Sequence, residues 1–259
     1  MERTETSRPK KTKSRVPRAG IRTDSAGTLV GNALLRSIPD REYALIKPHL
    51  ERCDLGQHLI LHEAGAKIEF AYFLNTGLAS VVVLTTDGRS VEVATVGKEG
   101  MIGTPLAMGL RQAPYRVIMQ IPGSALCVPS ETLERVLSEA TEFQRLVSRY
   151  VMVRGMEVAQ IAACNRLHAI EQRLARWLLM CQDRVESNSL PVTHELLAQM
   201  LGTGRPSVSL AAGMLQRAGL IENLRGSVKI VNRKALENSA CECYRAIHHF
   251  IGSLTKDLS

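Results

Sequence analysis

Aromatic residues are scarce in this 259-residue chain, at 4%, which argues against a surface built to stack bases or sugars. Hydrophobic runs are short. None reaches the roughly 20 apolar residues that a membrane-spanning helix needs, and the first residues lack the apolar stretch of a signal peptide. The cysteines Cys53, Cys127, Cys164, Cys181, Cys241 and Cys243 are scattered, apart from the last two, and no Cys-x-x-Cys occurs. That usage reads as reduced thiols in a cytoplasmic protein, not as a disulfide framework, and no metal spacing stands out. The glycines at 97, 100 and 103 are spaced G-x-x-G-x-x-G, with no helix pattern opening at Gly103 and no Gly-Lys-Ser/Thr after it. They read as turns and bulges, not as a phosphate-cradling loop. No nucleophile has a base beside it and no pair of acids shares a location, so nothing marks the chain as an enzyme. His194 and Glu195, at a helix start, suit capping or phosphate contact.

What is present begins with charge and apolar content. Hydrophobic residues make up 45%, enough for a core without metals or disulfides, and the length suits two modest domains. The formal charge of +8 and the pI near 9.4 suit a polyanionic partner. Much of that charge sits in residues 1 to 24, where Arg3, Arg8, Lys10, Lys11, Lys13, Arg15, Arg18 and Arg22 face Glu2, Glu5 and Asp24. With Pro9, Pro17 and no apolar period, this arm is expected to be disordered, either a solvated tail or a segment touching phosphates.

From about residue 55 to 129 the pattern is short and alternating. Asn75-Thr76-Gly77 breaks one run. Asp87-Gly88 separates two β-branched runs and predicts a type I′ hairpin. Ser90, Glu92 and Thr95 alternate with Val91, Val93 and Val96, a period near two. Many short antiparallel strands between turns imply a barrel or jelly roll. Ser130 is a candidate N-cap, and Thr141 with Gln144 forms a capping-box pattern. The helix that follows is apolar on several sides, so it is expected to pack on the strands and on a second subunit. Phe143, Tyr150, Val153, Gly155 and Ile161 are its candidate dimer contacts. A further helix is expected from Leu167, and "VESNSLP" reads as a loop.

The stretch "LLAQMLGTGRPSVSLAAGMLQRAGLI" carries the clearest signal. Thr193 can N-cap a helix with Leu197 and Leu201, Gly202 allows a sharp turn, and Pro206 suits the first turn of a second helix. Small Ala198 permits close approach, and Leu197, Leu201, Val208 and Ala211 form the pair's shared core. That is the frame of a DNA-reading helix-turn-helix, whose second helix enters the major groove by its N-terminal end. Leu220-Ile221, a turn at Arg225-Gly226, and Val228 and Ile230 follow as a two-stranded wing. The candidate DNA contacts are Thr193, Thr203, Gly204, Arg205, Pro206, Ser207, Ser209 and Arg225.

Over roughly residues 30 to 240 the chain resembles the Crp/Fnr family of bacterial transcription regulators. "EAGAKIEFAYFLNTGLASVVVLTTDGRSVEVATVGKEGMIG" is similar to that family's cyclic-nucleotide-binding-type β-roll, and residues 190 to 236 to its winged DNA-binding domain. The resemblance implies an α+β protein: an N-terminal antiparallel β-roll, jelly-roll-like, then a long dimerisation helix and a C-terminal winged helix-turn-helix. The expected divisions are a basic arm (1–28), a sensor domain (29–140), the dimerisation helix (141–165) and the DNA-binding domain (166–259). It also implies a homodimer that reads pseudo-palindromic double-stranded DNA through residues 205–218, with RNA polymerase as a further candidate partner and no membrane.

The departures from the family pattern are specific. Cyclic-AMP-binding members carry Gly-Glu and, later, Arg-Ser in the β-roll. Here Gly103 is followed by Thr104, and the later region reads Ala113-Pro114-Tyr115-Arg116. The effector pocket expected at Gly103, Thr104 and Arg116 is therefore a degenerate cyclic-nucleotide site. The arm has no cysteine, so the family's N-terminal iron–sulfur cluster is absent, and no cofactor is expected. His58 and His62 are conceivable haem ligands, but lone histidines of this kind read first as ordinary surface or core residues. Cys241 and Cys243, two apart on an expected helix, would point about 200° apart and read as structural. Pro206 stands where many members place a Glu after the base-reading Arg, which here is Arg205. The rival expectation is a ligand-binding regulatory protein that acts through protein partners, with a vestigial DNA-binding surface.

Overall fold

The computed structural model describes residues 22–256. Helices α1 (Ala33–Ser37) and α2 (Asp40–Ile46) precede strands β1 (Glu51–Leu55), β2 (Ile60–His62), β3 (Phe70–Leu74), β4 (Leu78–Leu84), β5 (Ser90–Val96), β6 (Met101–Ile102), β7 (Arg116–Ile121) and β8 (Gly123–Pro129). The strands form two antiparallel sheets, ordered β1-β8-β3-β6 and β2-β7-β4-β5. Leu74 and Ala125 of the first sheet meet Ala79, Val117 and Met119 of the second in a shared core. The alternate residues Phe73, Leu126 and Val128 face the other way, into a core roofed by helices. Strands β3 and β8 are thus covered on both faces, which explains why they read as nearly continuous apolar runs.

The roof consists of α1, α2, α3 (Ser130–Glu139) and the long α4 (Thr141–Leu167). After it come α5 (Ile170–Val185), β9 (Ser189–Leu190), α6 (His194–Met200), α7 (Arg205–Arg217), β10 (Ile221–Leu224), β11 (Ser227–Ile230), α8 (Arg233–Ser239) and α9 (Cys243–Lys256). Among the described residues no helix is long and apolar enough to cross a membrane.

Several local expectations are corrected. Helix α3 has Pro129 at its N-cap with no side-chain cap, and Ser130 is already helical. The Thr141–Gln144 capping box is absent too. The free amides at the start of α4 are met from far along the chain: Glu142 and Phe143 donate their N–H groups to the Glu42 carboxylate, at 3.2 and 2.7 Å. A carboxylate there also suits the helix dipole. The β4–β5 hairpin is not type I′, because Asp87 does not take positive φ. Gly88 N–H donates to the Thr85 carbonyl and Gly88 itself has φ +82°, which is a turn followed by a left-handed residue. Helix α5 starts at Ile170, and Leu167 is an exposed residue at the end of α4. The expected loop at 185–191 contains β9, which pairs with β11 as a third strand of the wing.

The arm also ends earlier than expected. Residues 1–21 lie outside the described residues, but Arg22 is anchored. Its guanidinium donates to the carbonyls of Leu35 and Ile38 and pairs with Asp40 at 2.9 Å, 4.8 Å from the centre of the Tyr43 ring. The cysteine reading is corrected in part, since Cys53 and Cys127 form a disulfide. Cys53 lies opposite Ala125 on β8, so Cys127 is its diagonal neighbour on the same face. Residues 74 apart in sequence gave no hint of this.

The three parts of the chain meet at one buried ion cluster. Arg184, on the last turn of α5, donates to Glu99 at 2.8 Å and to Glu157 of α4 at 3.1 Å, and Arg154 also pairs with Glu157. Burial works against the charge on Arg184, but the two carboxylates more than offset it and raise its pKa. Burial would likewise raise Glu99, yet the guanidinium charges of Arg184 and Arg154 hold it below its ordinary value. The glycines at 97 and 100 fit this cluster: a Cβ on Gly97 would lie 2.7 Å from Arg184 Cβ, and one on Gly100 would collide with the Tyr150 hydroxyl. Neither has positive φ, so close approach, not a turn, requires them. Substituting Arg184→Ala leaves Glu99 without its ion-pair partner and Glu157 with Arg154 alone, and a stability loss of about 3–5 kcal/mol is expected. Denaturant unfolding followed by circular dichroism measures it, and a loss below about 1 kcal/mol would contradict the cluster's burial.

Candidate nucleic-acid interface

Helices α6 and α7 cross at a turn set by Gly202, whose φ of +59° a side chain rarely adopts. Thr193 caps α6 by accepting from the Leu196 N–H at 3.1 Å. Pro206 lies in the first turn of α7, behind Gly204 at the N-cap. Leu197, Leu201, Val208 and Ala211 are all but fully buried between the two helices, with Ala198 beside them. This inner face leaves Gly204, Arg205, Pro206, Ser207 and Ser209 exposed on the outer one, with Thr203 half-buried. The turn of the wing places Arg225 at its exposed tip, between the paired Leu224 and Ser227.

His194 ties these pieces together. Its Nδ1 lies 3.0 Å from the Ser209 hydroxyl and its Nε2 3.2 Å from Asn223 Oδ1. One imidazole thus bridges the start of α6, the first turns of α7 and strand β10. Sequence reasoning marked His194 as a capping or phosphate residue and missed this strut, because its partners lie 15 and 29 positions away. Glu195 lies 4.0 Å from Arg205, an exposed and weak pair that phosphate or base contact can displace.

The residues singled out on α4 are placed differently from expectation. Phe143, Tyr150 and Val153 are buried in the core beneath the roof, and Ile161 in the core of the C-terminal domain. They contact this chain and are not available to a second one. Gly155 alone of the five is exposed, with nothing within 4 Å of a Cβ placed on it. The outer face of α4 instead shows Met152, Met156, Ala159 and Ala163.

The effector residues are likewise not gathered into one cavity. Gly103 takes φ +99° and packs against Ala71, and Thr104 begins a short 3-10 turn. Arg116 is held by Glu63 at 3.0 Å. A cavity of about 530 Å³ lies elsewhere, under Leu106, Arg111, Glu134 and Gln144. His58 is exposed, while His62 is buried and hydrogen-bonds the Phe70 carbonyl at 2.9 Å, as an ordinary core histidine does. The pair Cys241 and Cys243 is corrected: Cys241 precedes α9 and only Cys243 is helical, so the two thiols converge with Cys164 and His168. Of the described residues, these four could hold a metal ion.

Two family models match the chain, a cyclic nucleotide-binding domain over residues 54–140 and a Crp-like helix-turn-helix domain over residues 172–239. The chain belongs to the Crp/Fnr family of transcription regulators. The "Global nitrogen regulator" of Synechocystis sp. is 22% identical over 204 residues, covering 74% of this chain and 88% of that protein. FixK2 from Bradyrhizobium japonicum superposes with a TM-score of 0.63 at 16% identity, over 74% of this chain and 98% of that one. TTHB099, a CRP-family transcriptional regulator from Thermus thermophilus, gives 0.60 at 24% identity, over 73% and 96%. At such identities the structures establish the Crp/Fnr fold.

Within that Crp/Fnr fold the two domains touch through apolar residues, Leu78 and Ile121 among them, and through buried polar groups. Glu92, on the polar face of β5, is buried against the DNA-binding domain: its carboxylate accepts from Trp177 Nε1–H at 2.7 Å and from the Ser80 hydroxyl. Burial raises its pKa to about 7, against the pull of these hydrogen bonds and of Arg176. A carboxyl raised in the folded state binds more protons there than in the unfolded chain. Stability is therefore expected to fall as pH rises from about 4.5 to 7, by on the order of 3 kcal/mol. Glu92→Gln should remove that slope and be the more stable form at pH 8. Unfolding curves from pH 5 to 8 check this, and parallel profiles for the two proteins would refute it.

Proposed function

We propose that the protein is a homodimeric, sequence-specific DNA-binding regulator that reads a pseudo-palindromic operator with the N-terminal turn of α7, in the cytoplasm. The observation that carries this reading is the division of α7 into two faces. Val208, Ala211, Ala212 and Leu215 are buried, while Arg205, Ser207 and Ser209 are exposed beside the wing. Arg205 can pair with guanine in two-pronged fashion, worth about 1–3 kcal/mol of discrimination. Thr193, Thr203 and the backbone at Gly204 suit phosphate contact, as does Arg225 at the tip of the wing.

The outer stripe of α4 supports the dimer. Met152, Gly155, Met156, Ala159 and Ala163 recur at three and four along one side. Met152 and Met156 are 67% and 40% exposed, a large apolar display for a lone chain. Gly155 costs a helix roughly 1 kcal/mol relative to Ala, and close approach of a second α4 offsets that. The β-roll is read as lacking a cyclic-nucleotide site of the usual pattern, since Thr104 follows Gly103 and Arg116 is engaged with Glu63.

Selection of bound sequences from random duplex DNA is expected to return a two-fold-symmetric motif. Arg205→Ala should weaken binding to that motif by roughly 10- to 100-fold with little effect on bulk DNA. Unchanged binding would favour a regulator that works through protein partners. Met156→Glu should shift the protein to a monomer in sedimentation and abolish the two-fold motif. A variant that stays dimeric would move the interface off α4.

A further inference from the structure

We propose that Cys164, His168, Cys241 and Cys243 form a closed tetrahedral zinc site at the hinge between the long helix and the DNA-binding domain. The four candidate ligand atoms lie within 4.8 Å of one another. Cys164 Sγ and Cys241 Sγ are 3.4 Å apart, and Cys243 Sγ is 3.5 Å from His168 Nδ1. A disulfide needs about 2.05 Å, so the sulfurs are unbonded. Zinc–sulfur bonds of about 2.3 Å arranged tetrahedrally put ligand atoms roughly 3.8 Å apart, and three thiolates with one imidazole is a known donor set for structural zinc. The four atoms are already near that spacing. An iron–sulfur cluster interposes its own irons and sulfides and would require a wider frame.

The chain builds this frame from three places. Cys164 lies on the last turns of α4, and His168, four residues on, is the C-cap, whose N–H still donates to the Cys164 carbonyl at 3.1 Å. The pair therefore stays on one side of the helix end. Cys241 follows the extended Ala240, and Cys243 opens α9. Off the helix, residues two apart can face the same way, and the 200° divergence of a continuous helix does not arise.

The surroundings are those of a metal site. His168 offers Nδ1 to the thiols while its Nε2 meets the Glu242 carboxylate at 3.1 Å, the outer hydrogen bond that fixes a ligating imidazole. Gln160 donates to Cys243 Sγ at 3.1 Å. Three thiolates and one divalent zinc carry a net charge of −1. Arg176 is buried within electrostatic reach of Cys164 and Cys241 as well as of Glu92, and its Nε has no hydrogen-bond partner. An anionic centre would compensate that cation. Binding displaces the thiol protons to solvent, with no change of oxidation state.

The test starts from the full-length chain, purified under reducing conditions without chelators and analysed for metals. One zinc per chain is expected, falling below a tenth in Cys241→Ser and Cys243→Ser and staying near one in Cys181→Ala, a buried cysteine outside the site. Cobalt exchanged into the wild-type chain should show the visible absorption of a tetrahedral, thiolate-bound ion, which needs no variant to fold. Hydrogen exchange of residues 160–170 and 240–250 should speed up on zinc removal and slow on its return. Free thiols at Cys164, Cys241 and Cys243 with no metal would overturn the proposal. So would a Cys164–Cys241 disulfide in peptide mapping, or iron with acid-labile sulfide. None of these outcomes bears on whether α7 reads a single half-site.

Discussion

The position of Arg184 is the constraint on which the remaining geometry depends. Its guanidinium satisfies one carboxylate from the β-roll and one from α4 while its backbone belongs to α5. Two arginines and two glutamates make the cluster neutral, so none of its charges is buried without compensation. Such a cluster adds little net stability over well-packed apolar residues, but it is selective. Only one rotation of α4 and one docking of α5 bring Glu157 and Glu99 to the same cation. The small residues at 97 and 100 follow from it, because Arg184 and Tyr150 occupy the space that side chains there would need.

Elsewhere along the domain boundary, polar contacts stand beside apolar ones from Leu78 and Ile121, which join the core of the C-terminal domain. Gln199 of α6 donates to Ser90, the Ser80 hydroxyl and Gln120 reach Met200 Sδ, and Glu92 meets Trp177. These contacts set α6 against the β4–β5 hairpin while α7 keeps its outer face open to solvent. The β-roll sheet and α7 are thus joined through α6.

The parts legible in the sequence were those fixed by neighbours in the chain. Gly202, Pro206 and the buried set Leu197, Leu201, Val208 and Ala211 define the helix pair within a single short stretch, and the wing follows from Arg225-Gly226 and the alternation of Val228 and Ile230. What escaped depends on distant partners. The cap of α4 comes from Glu42, about a hundred residues away. Cys53 meets Cys127 only because β1 pairs with β8. Helix α4 shows the limit most clearly. Apolar on several sides, its sequence says that several faces are covered, not which face meets which partner. Phe143 and Tyr150 are no more apolar in sequence than Met152 and Met156, yet the first two lie under the roof and the others face out. The β5 strand misleads in the opposite sense, since its buried residue facing the DNA-binding domain is the charged Glu92.

Two polar centres, at Glu157 and Cys164, lie two turns apart on one side of α4, both fully buried. The first binds the end of α5, and the second faces the segment that opens α9. Together they hold the DNA-binding domain against α4 at two points, which fixes an orientation where one point would leave a pivot. In the proposed homodimer the outward stripe of α4 meets the second chain, and a fixed orientation of each α7 relative to α4 becomes a fixed separation between the two α7 helices, from which the proposed operator spacing follows. It follows that loosening either centre should disturb two-fold recognition more than binding to a single half-site, even though neither centre touches DNA.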